Sequence, residues 1–514
     1  MADLQTLMRY MAMVLDIRTV LIGLFVFLTL SWILRSYRKR VINLPPGPIA
    51  WPLVGCLPQL LFMILKTRNI YNLFVYLCAK YGPVCNVPLP FGMNVVLVSG
   101  YKGVNEVFTS LKFDQRPPLA HVNNPIDLLN GSGVMSTGEL WKEHRKFSLT
   151  VLRSFGVGKR SFADQIAKES EHLMDEISSV QGKPFDPTHL LSNAVSNIIV
   201  SVVCGKRFEY DDPEYRQLLH SFEDLLDNTA FYIFFVTAPR LLAYLTMIPF
   251  FPKGAMPSLL SIRRTVHGIV NKHHETFDKE NMRDYIDVYL NDMQVKKDQG
   301  THTHFSDVEL LAVVYDFFAA GSETTATTLR WALLYMLKYP DVQKRVHEEI
   351  DSVVGRDRLP KLSDKPDLPY TVAVIHEIQR FASIAFLPFP RYANEDVPDF
   401  QGFTIPKGSY VQPSLYTVSR DIAIWQDPDD FKPERFLNEK GQVIKIPENM
   451  VFGAGKRVCL GEQLARMELF IFYTHLMHRY TFKKPVGIES VNIKPKPTLL
   501  LTPFLYDICA IDRI

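Results

Sequence analysis

The sequence predicts a mainly α-helical protein with small β-sheets, in which one large domain follows an N-terminal membrane-spanning helix. After about residue 70, apolar residues recur at helical spacing over most of the chain. Short apolar runs broken by proline and glycine, typical of strands and turns, occupy residues 383–416. A charge-free apolar run covers residues 19–34. The body contains no Gly/Ser linker, low-complexity tract or internal repeat, so a single folded body is the simplest architecture.

The composition excludes several classes of protein. Of 514 residues, 47% are hydrophobic and 22% are charged, and the net charge of +3 gives no reason to expect a nucleic-acid partner. The six cysteines are scattered without a C-x-x-C pair, so neither a zinc site nor a disulfide scaffold is indicated. A reducing, cytosolic location fits these cysteines.

We interpret the first apolar run as an uncleaved membrane anchor. A helix over residues 19–34 covers about 24 Å, and a start near Leu15 brings it to the roughly 30 Å of a bilayer's hydrocarbon layer. The basic segment RSYRKR follows at residues 35–40, so the positive-inside rule places the rest of the chain in the cytosol. A cleaved signal peptide would have its basic residues first and a small-residue cleavage site. We therefore assign residues 1–40 to the anchor and residues 41–514 to a cytosolic domain.

Local patterns place the elements of this domain. The proline-rich segment LPPGP at residues 44–48 predicts a stiff, extended spacer. Residues 95–98, bounded by Asn94 and by Ser99 and Gly100, predict a strand. Helical periods begin at Trp141 and cover residues 306–339, 341–354, 370–381 and 462–479.

A second apolar region, residues 230–251, is broken by Pro239, Arg240 and Pro249, so we do not expect it to span a membrane. Two interpretations stay open on its own pattern. It could belong to the core, or it could be an exposed patch that dips into a membrane surface.

The segment FGAGKRVCLG, residues 452–461, carries the strongest chemical signal. Two glycines permit a tight backbone path, and Gly461 stands where the next helix is expected to begin. At that place Cys459 would meet the positive end of the helix dipole and unpaired backbone N–H groups, both of which lower a thiol's pKa. The thiolate is the form that binds metal. A buried structural cysteine would not explain the glycines, the adjacent cations and the helix start together.

This segment contains every specified position of F-x-x-G-x-R-x-C-x-G, the haem-binding signature of the cytochromes P-450. The chain is identified as a member of that family over essentially its whole length. The phrases WKEHRKF, PDVQKRVHEEID, PERF and FGAGKRVCLGEQLARMELF resemble the animal microsomal branch, of family-2 type. The resemblance implies the mainly α P-450 fold and a haem b held at Phe452, Arg457 and Cys459. Cys459 would be the axial ligand of the iron, pushing electron density towards O–O cleavage.

The segment AAGSETT at residues 319–325 interrupts a long helical pattern with a glycine, which costs roughly 1 kcal/mol relative to alanine. In the family this segment crosses the haem. The resemblance implies that Gly321 leaves room for dioxygen, that Thr324 supplies a hydroxyl beside it, and that Glu323 relays protons. A solvated Ser/Thr/Glu face would be the better interpretation only without the cysteine signature.

The resemblance also implies a structural trio of charges. Glu377 and Arg380 match the family's E-x-x-R, and Arg435 in the PERF phrase joins them. Such pairs contribute little when exposed, but in the family this trio is buried. We expect it to hold the haem-side core together.

Four residues are the expected partners of the two haem propionates. Trp141 and Arg145 match the family's W-x-x-x-R and share a helix face, and Arg457 precedes the cysteine by two residues. Arg391 stands where many relatives have histidine. An arginine can hold a carboxylate in a bidentate pair, so this departure is compatible with the role.

Pocket residues can be carried over by family position, and all are apolar, which implies a lipophilic substrate. Each one taken singly could equally belong to the core. Residues 230–251 fall at the family's substrate-access loop, which favours membrane contact for them. The expected lining residues are Phe231, Phe234, Phe317, Ala320, Ile384, Phe386, Leu387 and Leu499.

Nothing in the chain resembles a flavin or nicotinamide site, so the electrons must come from a separate protein. NADPH–cytochrome P-450 reductase is the expected donor, which makes NADPH an indirect cofactor, and cytochrome b5 is a second candidate donor. An acidic flavoprotein would fit a basic face, although a solvated charged face is the alternative. The residues expected to form that face are Lys142, Lys146, Arg153 and Lys456.

The resulting interpretation is a monooxygenase of the endoplasmic reticulum membrane, with its catalytic domain facing the cytosol. It would insert one atom of O2 into a fatty acid, steroid or xenobiotic and reduce the other atom to water. An isomerase or dehydratase of the same fold is one alternative, disfavoured by the intact Glu323–Thr324 pair. A haem gas-binding protein without turnover is another, disfavoured by the apolar pocket and the anchor.

Overall fold

The computed structural model describes residues 19–27, 29–30, 43–52, 54–67, 70–118, 133–228 and 255–513. Helices dominate these residues and the sheets are small, which confirms the predicted class. Residues 19–27 and 29–30 are helical. Among the described residues no helix is both long enough and apolar enough to cross a membrane, so the predicted membrane-spanning helix is not confirmed. The basic segment 35–40 and the apolar region 230–251 lie outside the described residues.

The helices begin and end close to where the sequence patterns place them. Ser306 caps the longest one by accepting a hydrogen bond from the Glu309 N–H, and Pro340 starts the next helix, since proline is tolerated in a first turn. The helices are α1 (Leu57–Thr67), α2 (Ile70–Tyr81), α3 (Tyr101–Thr109), α4 (Gly138–Ser154), α5 (Arg160–Ser179), α6 (Thr188–Cys204), α7 (Pro213–Asp227), α8 (Met256–Thr276), α9 (Tyr285–Asp298), α10 (Asp307–Lys338), α11 (Pro340–Val353), α12 (Pro369–Ala382), α13 (Leu415–Ser419) and α14 (Glu462–Arg479).

Ten short strands form one four-stranded sheet and three two-stranded sheets among the described residues. The predicted strand at residues 95–98 is confirmed as part of β2, and residues 383–416 contain four further strands, as expected. The strands are β1 (Val84–Pro88), β2 (Asn94–Val98), β3 (Arg391–Tyr392), β4 (Val397–Phe400), β5 (Phe403–Ile405), β6 (Tyr410–Pro413), β7 (Tyr480–Lys483), β8 (Pro495–Pro497), β9 (Leu501–Pro503) and β10 (Cys509–Asp512).

The described residues cluster into two compact units. The smaller unit comprises residues 1–115 and 389–414 and contains the four-stranded sheet, in the order β1-β2-β6-β3. Strand β2 pairs antiparallel with β1 and parallel with β6, in a register that places Val95 opposite Tyr410. Val96, Val98 and Val411 are fully buried. These β-branched side chains provide the apolar face that such a sheet needs.

The larger unit comprises residues 116–388 and 415–514 and contains α4 to α14. Helix α10 is buried without a break from Thr325 to Leu337, and α14 from Met467 to His478. A helix that is apolar on all sides can only be stable when other elements surround it. Helices α6, α12 and α14 pack against α10, so α10 forms the centre of this unit.

Candidate active site

Cys459 lies at the end of a loop whose path is set by glycines. Gly453 and Gly455 have φ values of 74° and 71°, a left-handed conformation that side chains disfavour. The Cys459 N–H donates to the Phe452 carbonyl oxygen at 3.0 Å, which closes the loop, and α14 begins three residues after the cysteine. The two glycines therefore have the conformational reason that the motif predicts.

The thiol of Cys459 has an accessible surface but protein surrounds it on most sides. This desolvation raises the pKa of Cys459 above its ordinary value, and the Glu462 carboxylate adds to the effect. The backbone N–H groups of Gly461 and Glu462 and the Arg145 guanidinium act in the opposite direction. The backbone N–H groups at the helix start therefore lower this pKa as expected, but desolvation outweighs them. A metal cation bound to the sulfur would stabilise the thiolate directly, and these donor groups fit such a bond.

Two arginines and a tryptophan meet beside this loop. The Arg145 guanidinium donates to the Val458 carbonyl oxygen at 2.7 Å and lies 5.7 Å from the centre of the Trp141 ring. The Arg457 guanidinium lies 3.9 Å from the centre of the same ring. Two guanidinium groups on one indole, next to a loop cysteine, fit a ligand that carries carboxylates, as haem does. The donor set is thus compatible with haem.

Arg391, the fourth expected partner of the propionates, belongs to the smaller unit. It is 2% exposed, pairs with Val411 in the sheet, and holds its guanidinium 5.4 Å from the Phe108 ring centre. Its role towards a propionate stays a prediction.

A cavity that is partly open to solvent lies between α10, α12, α13 and α14. Thr324 on the predicted oxygen-activating segment and Phe452 of the cysteine loop both line it, together with Ile384. These three sequence-predicted residues therefore share one space. The remaining lining residues are Thr325, Thr328, Gln379, Ser383, Ala385, Leu415, Ser419, Val451, Ala465 and Leu469.

Thr324 lines this cavity from the middle of α10. Its Oγ1 donates to the Ala320 carbonyl oxygen at 2.7 Å, and the Thr324 carbonyl oxygen accepts from the Thr328 hydroxyl at 2.9 Å. With its own proton engaged along the helix, Oγ1 presents lone pairs that can accept a hydrogen bond.

Glu323, the neighbouring acid, is 2% exposed, and its Oε1 has no hydrogen-bond partner among the described residues. Desolvation raises the pKa of Glu323 to about 8, the charges of Glu223 and Asp227 on α7 add to this, and Arg330 opposes it. Near neutral pH this carboxyl group therefore holds a proton that it can donate.

Gly321 has a packing reason that the sequence did not reveal. A Cβ atom at this position would lie 2.8 Å from Cγ1 and 3.0 Å from Cβ of Ile199 on α6. The glycine therefore allows α6 and α10 to approach closely, and Ser196 and Ser322 hydrogen-bond across the same contact at 2.7 Å. Its predicted role in leaving room for dioxygen stays a prediction.

The three predicted structural charges meet in a buried cluster. Arg380 forms a bidentate pair with Glu377 at 2.6 and 2.7 Å, and the Arg435 Nε lies 3.1 Å from the same carboxylate. Glu377 and Arg380 are fully buried. The Arg380 guanidinium also donates to the carbonyl oxygens of Ser419 and Pro428, so the cluster ties α12 to the segment after α13.

The other predicted pocket residues are dispersed. Phe317 packs edge-to-face against Tyr285 with ring centres 4.9 Å apart, and Phe386 is 2% exposed in the core. Ala320 is exposed, and Leu387 and Leu499 are half-buried. Phe231 and Phe234 lie outside the described residues.

Sequence reasoning missed Glu468 on α14. This acid is 2% exposed, desolvation raises its pKa to about 8, and its hydrogen bond with Thr325 opposes the rise. Thr325 and the neighbouring Leu469 both line the cavity. The available signal was a single acid inside the otherwise apolar run MELFIF at residues 467–472.

Comparison with known proteins gives a consistent result. The sequence matches the family "Cytochrome P450" over residues 45–510. It is 38% identical to cytochrome P450 2J3 of Rattus norvegicus over 513 residues, or 98% of this chain and 97% of that protein. It is 40% identical to cytochrome P450 2J5 of Mus musculus, over 97% of both chains. It is 38% identical to cytochrome P450 2D26 of Rattus norvegicus, over 97% of this chain and 99% of that protein.

Proposed function

The chain belongs to the cytochrome P450 family and is a haem-thiolate monooxygenase, and on this premise we propose that it oxidises a lipophilic molecule at the cavity lined by Thr324, Ile384 and Phe452. Its cofactor is haem b, whose iron binds and activates O2 when the group is bound. The reaction consumes one substrate molecule, one O2, two electrons and two protons, and releases the hydroxylated product and one water. The electrons come from a reductase, since the chain is an oxidoreductase of this class.

Cys459 would hold the iron through its thiolate, and Trp141, Arg145 and Arg457 would hold the propionates. The convergence of these three side chains on the cysteine loop is the observation that carries the proposal. Arg391 is the fourth proposed partner of the propionates, on the family resemblance. Residues 41–514 would thus form the haem-binding domain.

Thr324 and Glu323 would manage the protons. Thr324 lines the cavity and its hydroxyl oxygen can accept a hydrogen bond, while Glu323 holds a proton in the same helix turn. A positioned acid of this kind contributes roughly 10²–10⁴-fold to a proton-dependent step.

A lipophilic substrate is supported by the apolar residues that line the cavity, such as Ile384, Leu415 and Leu469. We propose a fatty acid, a steroid or a xenobiotic as the substrate class. Phe317, Ala320, Phe386, Leu387 and Leu499, together with Phe231 and Phe234, remain the proposed further contacts.

Association with the endoplasmic reticulum membrane is part of the proposal. Helix α1 of the smaller unit exposes Leu61, Phe62 and Leu65, which are 54, 69 and 80% exposed. Adjacent apolar side chains on one exposed helix favour contact with lipid. The apolar residues at 19–30 would act with α1, and residues 1–40 would anchor the chain with its domain in the cytosol.

NADPH–cytochrome P450 reductase is the proposed electron donor, and cytochrome b5 a second donor. Lys142, Lys146, Arg153 and Lys456 are all exposed and would form the basic docking face. Lys142 is paired with Glu139 at 2.7 Å, so its charge is partly compensated. Charge reversal at Lys142 and Lys146 should therefore slow reductase-supported turnover mainly through Lys146.

The direct test is turnover of the reconstituted protein with reductase, NADPH and ¹⁸O2 against a panel of fatty acids, steroids and xenobiotics. The proposal expects a product that contains one ¹⁸O atom and requires both NADPH and reductase. An isomerase or dehydratase would instead rearrange lipid hydroperoxides without either. Absence of any labelled product across the panel, in protein that has bound haem, would contradict the proposed function.

A further inference from the structure

Two carboxylate oxygens on neighbouring helices are buried without a hydrogen-bond partner among the described residues. One is Oε1 of Glu323 on α10, and the other is Oε1 of Glu223 on α7. The two helices are in contact, and the charge of Glu223 acts on Glu323. A negative charge on Glu223 therefore disfavours the ionised form of the desolvated Glu323 carboxyl group.

Glu223 reaches from this buried place to solvent. Its side chain is 24% exposed, and its Oε2 lies 3.9 Å from Nδ1 of His220, whose side chain is 61% exposed. One oxygen of this carboxylate therefore faces the interior and the other faces an exposed imidazole. Glu323, which is 2% exposed, has no comparable access of its own.

The other acids at this end of α7 already have polar partners. Asp227 forms an ion pair with Lys496 of β8 at 2.6 Å, and Asp224 accepts a hydrogen bond from the Ser258 hydroxyl at 3.0 Å. Of the acids on α7, Glu223 has the largest effect on the pKa of Glu323. It also has a carboxylate oxygen without a hydrogen-bond partner among the described residues.

A counter-charge for one ionised carboxylate is present on α10. Arg330 is 6% exposed, forms no ion pair among the described residues, and its Nε has no hydrogen-bond partner there. It stabilises the ionised form of Glu323. From α6, which also packs against α10, the contact includes the uncharged side chains of Ser196 and Ile199. Arg330 can therefore balance the negative charge that remains when only one of the two carboxyl groups holds a proton.

We propose that Glu223 is a positioning residue for proton delivery, which returns a proton from solvent to Glu323 after each donation. The inference rests on the proposed oxygen chemistry of Thr324 and Glu323. When Glu323 gives its proton towards the cavity it becomes a carboxylate. Glu223 then takes up a proton from solvent at Oε2, turns its carboxyl group and delivers that proton to the Glu323 carboxylate. The net result is one proton moved inwards, with both side chains restored.

The test compares Glu223→Gln with wild type in haem-loaded protein, using lauric acid as the probe substrate. With reductase, NADPH and O2, we expect product per NADPH to fall about tenfold, less than for loss of a direct donor, and hydrogen peroxide release to rise. With cumene hydroperoxide in place of O2 and NADPH, the oxidant already carries its electrons and proton, so turnover should equal that of wild type. Glu223→Asp, which keeps a titrating carboxylate, should restore most of the loss.

Glu214→Gln is the matched control, because Glu214 is an exposed acid in the first turn of the same helix. The pH profile separates a relay from a structural role. Since Glu223 raises the pKa of Glu323, its neutralisation should move the alkaline limb of product per NADPH to lower pH, and Glu214→Gln should not.

Unchanged product per NADPH in Glu223→Gln would overturn the proposal. So would an equal loss with both oxidants, because that pattern indicates damage to the fold or the substrate site. A wild-type protein that is inactive with both oxidants would overturn the proposed function, and the relay with it.

Discussion

At the scale of single residues, burial decides which acids carry a proton. Glu323 and Glu468 lie on different helices of the larger unit, and desolvation raises the pKa of each to about 8. Glu143, half-buried on α4, behaves differently: hydrogen bonds from Lys296, Thr303 and His304 outweigh its desolvation and lower its pKa to about 2. The number of donors around each carboxylate therefore separates the two behaviours.

Replacing Glu468 with glutamine should flatten the fall in stability above pH 5. A raised pKa means that the folded state keeps a proton that the unfolded chain releases near its ordinary value of 4.5. The free energy of unfolding therefore falls as pH rises from that value to about 8, by roughly 1.4 kcal/mol per pKa unit. Thermal or urea unfolding of Glu468→Gln at pH 5 and pH 8 measures this. Exposed Glu439→Gln is the control, and equal pH dependence in Glu468→Gln and wild type would contradict the account.

The sequence predicted which residues belong to the candidate site better than it predicted the contacts around them. The F-x-x-G-x-R-x-C-x-G pattern located Cys459 and its glycines correctly. It could not give the pKa of Cys459, because that pKa depends on burial by the fold and on charges remote in sequence, such as Arg145 on α4. Glu468 and Ile199 were missed for the same reason, since their importance comes from contacts across helices.

At the scale of elements, α6 and α10 approach one another closely in a way that the sequence did not predict. Ile199 occupies the space where a side chain at Gly321 would lie. The four helical periods from residue 306 to residue 479 and the strand at 95–98 were predicted well, because periodicity is local information. Local sequence does not show which face of α10 meets α6. Gly321 was therefore interpreted only as leaving room for dioxygen.

Gly321→Ala should destabilise the protein by about 1–3 kcal/mol, although alanine is the better helix former, because the methyl group meets Ile199. Gly268→Ala on α8 is the matched control: nothing lies within 4 Å of a Cβ there, so it should stabilise by about 1 kcal/mol. Denaturant unfolding of both variants checks the opposite signs.

Ile199→Ala should relieve most of the clash when combined with Gly321→Ala. The double variant should then be more stable than the sum of the two single changes predicts, since contacting residues are not additive. Strict additivity, or stabilisation by Gly321→Ala alone, would show that α6 and α10 do not approach as described.

At the scale of the whole molecule, buried charges connect elements that are distant in sequence. The cluster of Glu377, Arg380 and Arg435 joins α12 to a segment about fifty residues later. The sequence indicated these residues only through family resemblance, because an E-x-x-R spacing alone is common on exposed helices. The described residues also form two compact units, a division that no linker composition marks.

Glu377→Ala should cost about 3–5 kcal/mol of stability, because it leaves the buried Arg380 without its carboxylate. It should also lower haem content, since the cluster supports the cavity wall at Gln379 and Ser419. The control is Glu348→Ala in the exposed pair with Lys344, where a change of at most about 0.5 kcal/mol is expected. Unfolding curves and haem absorbance report both quantities, and equal effects of the two substitutions would contradict a structural role for the trio.

The central claim is that the Cys459 thiolate is the axial ligand of a haem iron. The most direct measurement is the absorbance spectrum of the dithionite-reduced, carbon-monoxide-bound protein, for wild type and for Cys459→Ser. The account predicts a Soret band red-shifted to the thiolate position in wild type and the loss of that band in the variant. A wild-type band at the position of histidine- or thiol-ligated haem, in well-folded protein, would contradict the account and favour a gas-binding haem protein instead.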